Sequence, residues 1–171
     1  MSRVTYIIDG YNVLHALFPE VGKDELFARR EWLADHLAGF AALHGAEAVL
    51  VFDGHGTAGS CERPIAGAPL EVCYAGGRFT ADTLIARRIA GRSADVRIVV
   101  VSADQEVQRT AARAGVSRMT PRELAAELSS SADFGQALDS ARDSTKLPSR
   151  LEDKVDPETL RRLEELRNRP Q

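Results

Sequence analysis

Few cysteines, no long apolar run and no strong charge of one sign mark this sequence, and each shortage removes a class of protein. Two cysteines, Cys61 and Cys73, in 171 residues cannot build a multi-bridge scaffold. The amino-terminal MSRVTYIIDG reaches an aspartate after a short apolar stretch, so no secretory leader is expected. The two thiols are therefore expected to sit reduced in a cytoplasmic setting, with Cys73 a small buried residue of the alternating LEVCY segment. The apolar run VRIVVVSA falls far below the roughly 20 residues a bilayer requires. Four histidines (His15, His36, His44, His55) form no HxxxH or HExxH pattern, which with the lack of Cys/His spacing argues against zinc. With 22 basic and 25 acidic residues the net charge is −3, a poor balance for a module that holds nucleic acid by counterion release alone. It weighs less against a site that gathers carboxylates around bound cations, because the ions reverse the local field.

What is present alternates strand with helix. Val4–Ile8 is a β-branched and aromatic run ending at Asp9-Gly10, and 24–44 is read as one long amphipathic helix stopped by Gly45. Ala48–Phe52 forms a second strand ending at Asp53-Gly54, and the Gly-, Ala- and Pro-rich stretch 54–69 is read as loop. Leu70–Tyr74 is a third strand, followed by a helix over 80–89 capped by Thr80. Val96–Val101 is the strongest strand, 104–114 a helix stopped by Gly115, and Val116–Met119 a brief fifth strand. Thr120-Pro121-Arg122-Glu123 combines a capping box with proline at the first helical position. Strands joined through helices imply right-handed crossovers and a mainly parallel sheet covered on both faces. The chain thus divides into an α/β domain over 1–128 and, over 129–171, a polar linker with a C-terminal helix. Eight basic and nine acidic side chains make that tail nearly neutral.

In open α/β sheets ligands sit outside the carboxyl ends of the strands, near the reversal of strand order. Asp9 ends the first strand, Asp53 ends the second, Asp82 opens the helix after the third, and Asp104 follows the fourth. Gathered carboxylates repel one another unless a cation neutralises them, and Mg²⁺ and Mn²⁺ prefer oxygen ligands. Two such ions roughly 4 Å apart suit phosphoryl chemistry, one easing deprotonation of water and the other stabilising the leaving oxygen. Arg87 and Arg88 follow Asp82 on one helix and are candidates to lead a phosphate backbone toward it. Ser102 is a candidate phosphate contact, and Asn12 a candidate to orient Asp9 or the scissile phosphate.

The same residues carry a resemblance. Ile8-Asp9-Gly10-Tyr11-Asn12-Val13-Leu14 is similar to the DGYN signature of the NYN branch of PIN-like nucleases. Residues 3–128 as a whole resemble the YacP-like NYN family of bacterial proteins. Val51-Phe52-Asp53-Gly54-His55, Phe79-Thr80-Ala81-Asp82-Thr83 and Val101-Ser102-Ala103-Asp104 followed by Gly115 support it. Relatives often carry a denser acidic run of the ETADD kind at the third motif; here Asp82 is the one acid. The resemblance implies a PIN-like three-layer α/β/α domain, strand order 3-2-1-4-5 in the count above, and Mg²⁺- or Mn²⁺-dependent endoribonuclease activity. It places that activity in bacterial mRNA processing or decay, with single-stranded RNA and a larger RNA-presenting assembly such as the ribosome as partners.

Simpler roles compete for each residue. Asp9 and Asp53 can be turn residues, Asp82 and Asp104 helix-start acids, Asn12 and Ser102 caps, and the arginines a solvated face. His55 reads as an exposed loop residue, and Tyr11 can stack on a base or simply pack. Two rival functions follow. One is an RNA-binding or assembly module on the same fold; the other is a small-molecule phosphatase, which the absence of a DxD pattern at Asp9 disfavours.

Overall fold

The β-branched run after Arg3 forms the first strand of a computed structural model that describes residues 3–54, 59–130 and 132–143. In chain order the strands are β1 (Arg3–Asp9), β2 (Glu47–Asp53), β3 (Ser60–Glu62), β4 (Leu70–Ala75), β5 (Val96–Val101) and β6 (Ser117–Met119). The helices are α1 (Gly10–Leu17), α2 (Lys23–Ala28), α3 (Arg30–Leu43), α4 (Ala81–Ala90), α5 (Gln105–Arg113), α6 (Pro121–Ser129) and α7 (Ala132–Asp143). The sheet runs β3-β4-β2-β1-β5-β6, parallel throughout except that β3 pairs antiparallel with β4. Leaving β3 aside, this is the expected order, and the fold is the expected α/β one.

The central strands are buried on both faces because neighbouring residues feed two cores. Ile7, Val49, Val51, Cys73 and Val100 pack with Ile85, Ile89, Val107 and Ala111 of α4 and α5. Ile8, Leu50 and Phe52, one step out of phase, face the layer that contains α1 and α3, where Val13, Leu14, Leu17, Leu33 and Leu37 are buried. The helix stops are as read: Gly45 and Gly115 have φ of 58° and 67°, left-handed values that favour glycine. Thr120 and Glu123 close their capping box.

Several expectations need correcting. The helix expected over 24–44 is two helices, with Arg29 (φ −93°, ψ 4°) between them and its guanidinium over the Phe18 ring at 4.3 Å. Residues 10–17, to which no element was assigned, form α1. The stretch 54–69 holds a short edge strand, β3, and its register sets Cys61 opposite Cys73 with Cα atoms 4.1 Å apart. The two cysteines are joined as a disulfide; Cys73 is buried as expected, but not as a free thiol. The polar stretch after Leu128 contains α7, with Leu138 buried. One compact unit ends at Leu138 and a second begins at Asp139. The helix expected beyond Asp156 lies outside the described residues, as does His55. Among the described residues no helix is long and apolar enough to cross a membrane.

Candidate active site

Alternation along the strands decides where the first two aspartates point. Asp9 is in phase with Ile7, and Asp53 with Val49 and Val51, so both face the α4–α5 layer. The amino ends of those two helices carry Asp82 and Asp104. Carboxylates from four separate segments thus stand toward the carboxyl ends of β1, β2 and β5, with Asp82 within reach of the charges of Asp9, Asp53 and Asp104.

Asp9 is the buried member, 7% exposed. Its Oδ1 accepts the backbone N–H of Asn12 at 3.2 Å and its Oδ2 the Asn12 Nδ2–H at 2.6 Å. The same Asn12 side chain turns its Oδ1 to the N–H of Ala103 at 2.9 Å. One amide therefore ties the end of β1 to the turn after β5, across 91 residues of chain. Burial pushes the Asp9 carboxyl above its usual range; the Asn12 bonds pull it back, while the charges of Asp82 and Asp53 push it up further.

Asp53 Oδ1 accepts the N–H of Ala81 at 2.8 Å, which fastens the start of α4 to the end of β2 and leaves Oδ2 unengaged among the described residues. Asp82 follows one residue later, exposed at the rim. Partial burial raises its pKa, and so do the charges of Asp104, Asp53 and Glu106. Asp104 caps α5, its Oδ1 accepting the N–H groups of Glu106 and Val107 at 2.6 and 3.2 Å. Ser102 is fully buried, and its Oγ accepts the Asp104 N–H at 3.0 Å; this hydroxyl shapes the turn that presents Asp104.

The Asp-Gly pairs have a steric reason. A Cβ on Gly10 would enter the Phe52 ring, and one on Gly54 would strike the carbonyl oxygen of Ala75. Chain and sheet pass too closely there for any side chain, which lets each preceding aspartate sit right at the strand end.

Glu106 was not singled out by sequence reasoning. It lines a cleft of about 320 Å³ with Asp82, Thr80, Thr83 and Thr110, between α4 and α5. Its only sequence signal was a place two residues after Asp104, where an acid is ordinary at a helix start. The two arginines part ways. Arg87 lies over the ring of Phe79 at 3.9 Å, on the helix that begins at Asp82. Arg88 is paired with Glu71 at 2.9 Å and lines a cavity of about 300 Å³ with Thr5, Glu47 and Pro69, toward the opposite ends of the strands. The structure does not bring Arg88 to the carboxylates. Tyr11 packs edge-on against Phe52, ring centres 5.1 Å apart.

Do these acids suit a cation? The donors are hard oxygens, and Asp53 and Asp104 each keep one oxygen unengaged by the bonds above. No three of their ligand oxygens lie within 4.8 Å of one another. That spread suits Mg²⁺ or Mn²⁺, which retain several waters, better than a tight all-protein cage. The one closer group among the described residues is Cys61, Glu71 and Cys73, and its two sulfurs are bonded to each other.

The family model for the YacP-like NYN domain matches residues 6–168. The chain belongs to the YacP-like NYN family. Its match extends well past residue 128 and takes in most of the tail. The fold is that of the crystal structure of Rae1 (YacP) from Bacillus subtilis, at 22% identity and TM-score 0.61, covering 98% of this chain and 95% of that one. A tryptophan-to-leucine mutant of the same Bacillus subtilis protein matches at 20% identity and TM-score 0.61, over 86% of each chain. A comparison with curated proteins found no match. A YacP-like NYN domain has a nuclease-type fold, and in this one Asp9 and Asp53 stand at strand ends and Asp82 and Asp104 at the helix starts beside them.

Proposed function

We propose that this YacP-like NYN protein is an endoribonuclease that hydrolyses RNA phosphodiester bonds with the help of Mg²⁺ or Mn²⁺. The observation that carries the reading is the placement of Asp9, Asp53, Asp82 and Asp104 at the carboxyl ends of β1 and β2 and the amino ends of α4 and α5, on one face of the sheet, where like charges repel. Such mutual repulsion is costly without a neutralising partner, and it recurs where function requires it.

In this reading Asp9, Asp53, Asp82 and Asp104 would hold the metal. Bound there, a divalent cation supplies Lewis acidity toward the phosphodiester and eases deprotonation of water. Asp9 is the fixed point, since burial and Asn12 leave its carboxylate little freedom. Asn12 and Ser102 keep the turn at Ala103-Asp104 in place. Asp82, at the rim, faces incoming substrate, and Arg87 attracts its backbone. Water adds across the P–O bond, yielding a phosphate monoester and a free hydroxyl. The substrate is single-stranded RNA, which bends into a shared site more easily than a duplex, and a larger assembly such as the ribosome can present it during bacterial mRNA processing or decay.

The test is incubation of purified protein with a mixed RNA pool, with Mn²⁺, with Mg²⁺ and with chelator, beside Asp104→Asn. Metal-dependent cleavage lost in the variant, with its melting curve preserved, is the expected result. Equal cleavage by the variant would refute the assignment. The wide spacing of the carboxylates favours one second reading, an RNA-binding module without chemistry; tight RNA binding with no cleavage under either metal would identify it.

A further inference from the structure

Among the described residues the large apolar side chains left exposed include Phe27 and Phe79, at 44% and 45%. Isolated exposed rings are ordinary. These two share features that chance placement does not explain. Each lies under a guanidinium: Arg30 is 3.3 Å from the ring centre of Phe27, and Arg87 is 3.9 Å from that of Phe79. Neither arginine forms an ion pair among the described residues, in contrast to Arg88 with Glu71. The second pair also adjoins the carboxylates. Phe79 stands three residues before Asp82, in the turn ahead of α4, and Arg87 reaches back over it from the last turn of that helix.

On the other face of the sheet, Arg30 lies 5.2 Å from the ring centre of Tyr74 and 5.8 Å from that of Phe52, the residue before Asp53. Its charge also acts on the Tyr11 hydroxyl, as does that of Asp53. Tyr11, Phe52 and Tyr74 form a continuous aromatic set behind it. Phe52 is in phase with Ile8 and Leu50, so this set faces away from the layer that Asp53 faces. The carboxyl end of β2 is thus flanked on each face by an exposed phenylalanine carrying an arginine, and Arg30 shares its cavity with Glu31, Asp35 and Glu62 without pairing to them.

The geometry points to two nucleobase-stacking positions, Phe27 with Arg30 and Phe79 with Arg87, that hold a single-stranded RNA on both sides of the carboxylates. This rests on the reading of the site as RNA-directed. A flat ring accepts any base by stacking, and a guanidinium held on that ring meets the adjoining phosphate. In a protein of net charge −3 whose centre is acidic, phosphates need cations at the edges, and these two are placed for it. Duplex RNA, its bases already stacked, gains nothing from such rings.

The test is binding measured without chemistry. Fluorescence anisotropy in chelator follows a labelled single-stranded oligoribonucleotide and an abasic oligomer of the same length, using the full chain. Phe27→Ala and Phe79→Ala are each expected to weaken binding of the base-bearing oligomer about tenfold, and to leave abasic binding unchanged. Phe27→Leu and Phe79→Leu keep the apolar bulk and lose the aromatic face; they should behave the same way and guard against a folding defect. Arg30→Gln and Arg87→Gln should weaken both oligomers and each lower the salt dependence by about one charge. Leucine variants that bind the base-bearing oligomer like wild type overturn the inference, as does a wild type that binds no single-stranded oligomer. Cleavage is scored separately, so intact stacking with no cleavage removes the nuclease reading and leaves this one standing.

Discussion

Asn12 does more with one side chain than any aspartate around it. Its Nδ2 holds Asp9, its Oδ1 holds the Ala103 N–H, and its own backbone N–H completes the grip on Asp9. Removing the amide leaves a buried carboxylate short of one donor and a backbone N–H short of its acceptor. Asn12→Ala is therefore expected to cost about 1–3 kcal/mol in urea denaturation. RNA cleavage should fall roughly 10- to 100-fold, as when a group that orients a ligand residue is lost. Asn12→Asp keeps an acceptor for Ala103 but sets a second carboxylate against Asp9, so at neutral pH it should be at least as damaging. An Asn12→Ala protein with wild-type stability and rate would show that the tie is incidental. Half of this role was readable from spacing: Asn three residues after Asp suggests local orientation. The bond to Ala103 was not, because no local pattern reports a partner 91 residues away.

Elements were legible in proportion to their apolar pattern. AVLVF is buried without a break and VRIVVV at Ile98, Val100 and Val101, and both came out where expected. β3 is Ser-Cys-Glu, exposed at every position, and exists by pairing with β4; nothing in its own composition reports that. The break at Arg29 has neither glycine nor proline to announce it. α1 went unseen because it starts on the residue after a strand, with no connecting loop. That abrupt start depends on Gly10 passing under the Phe52 ring. Alanine at a helical position is normally better than glycine by about 1 kcal/mol. Here the added methyl meets an aromatic ring that is itself fully buried, and overpacking of that kind costs about 1–3 kcal/mol. Gly10→Ala is expected to lower stability despite its better propensity, and a thermal melt decides the sign. A rise in midpoint would mean that Phe52 yields easily and that the glycine is there for another reason.

For the molecule as a whole, the gathered acids set how stability responds to pH and to metal. Burial and neighbouring charges raise the native pKa values of Asp9 and Asp82. Below the ordinary carboxylate range both groups are protonated whether folded or not, and they cost nothing. As pH climbs from the unfolded value through the raised native one, the folded protein gives up protons it would rather keep; the penalty is complete by neutral pH. Without metal, Asp82→Asn should gain stability relative to wild type between about pH 4 and pH 7, by about 1–2 °C in melting midpoint for a few tenths of a kcal/mol. With Mn²⁺ at neutral pH the order should reverse, because wild type has the fuller ligand set; at roughly 100 times its Kd the ion adds about 2.7 kcal/mol. A difference that ignores both pH and Mn²⁺ would remove the case for a shared charge centre.

The sheet order carries a consequence for how this protein comes into being. β1 is made first yet stands between β2 and β5, and the strands on its two sides are made in succession. A ribosome that has reached Gly91 has supplied Asp9, Asp53 and Asp82 but neither β5 nor Asp104, and Asn12 still lacks the turn it fastens. The candidate centre closes only when the fifth strand slides in beside the first. Until then the growing chain carries three acids beside the open edge of β1, and whatever the finished centre acts on can meet it only after the rest of the sheet has been made.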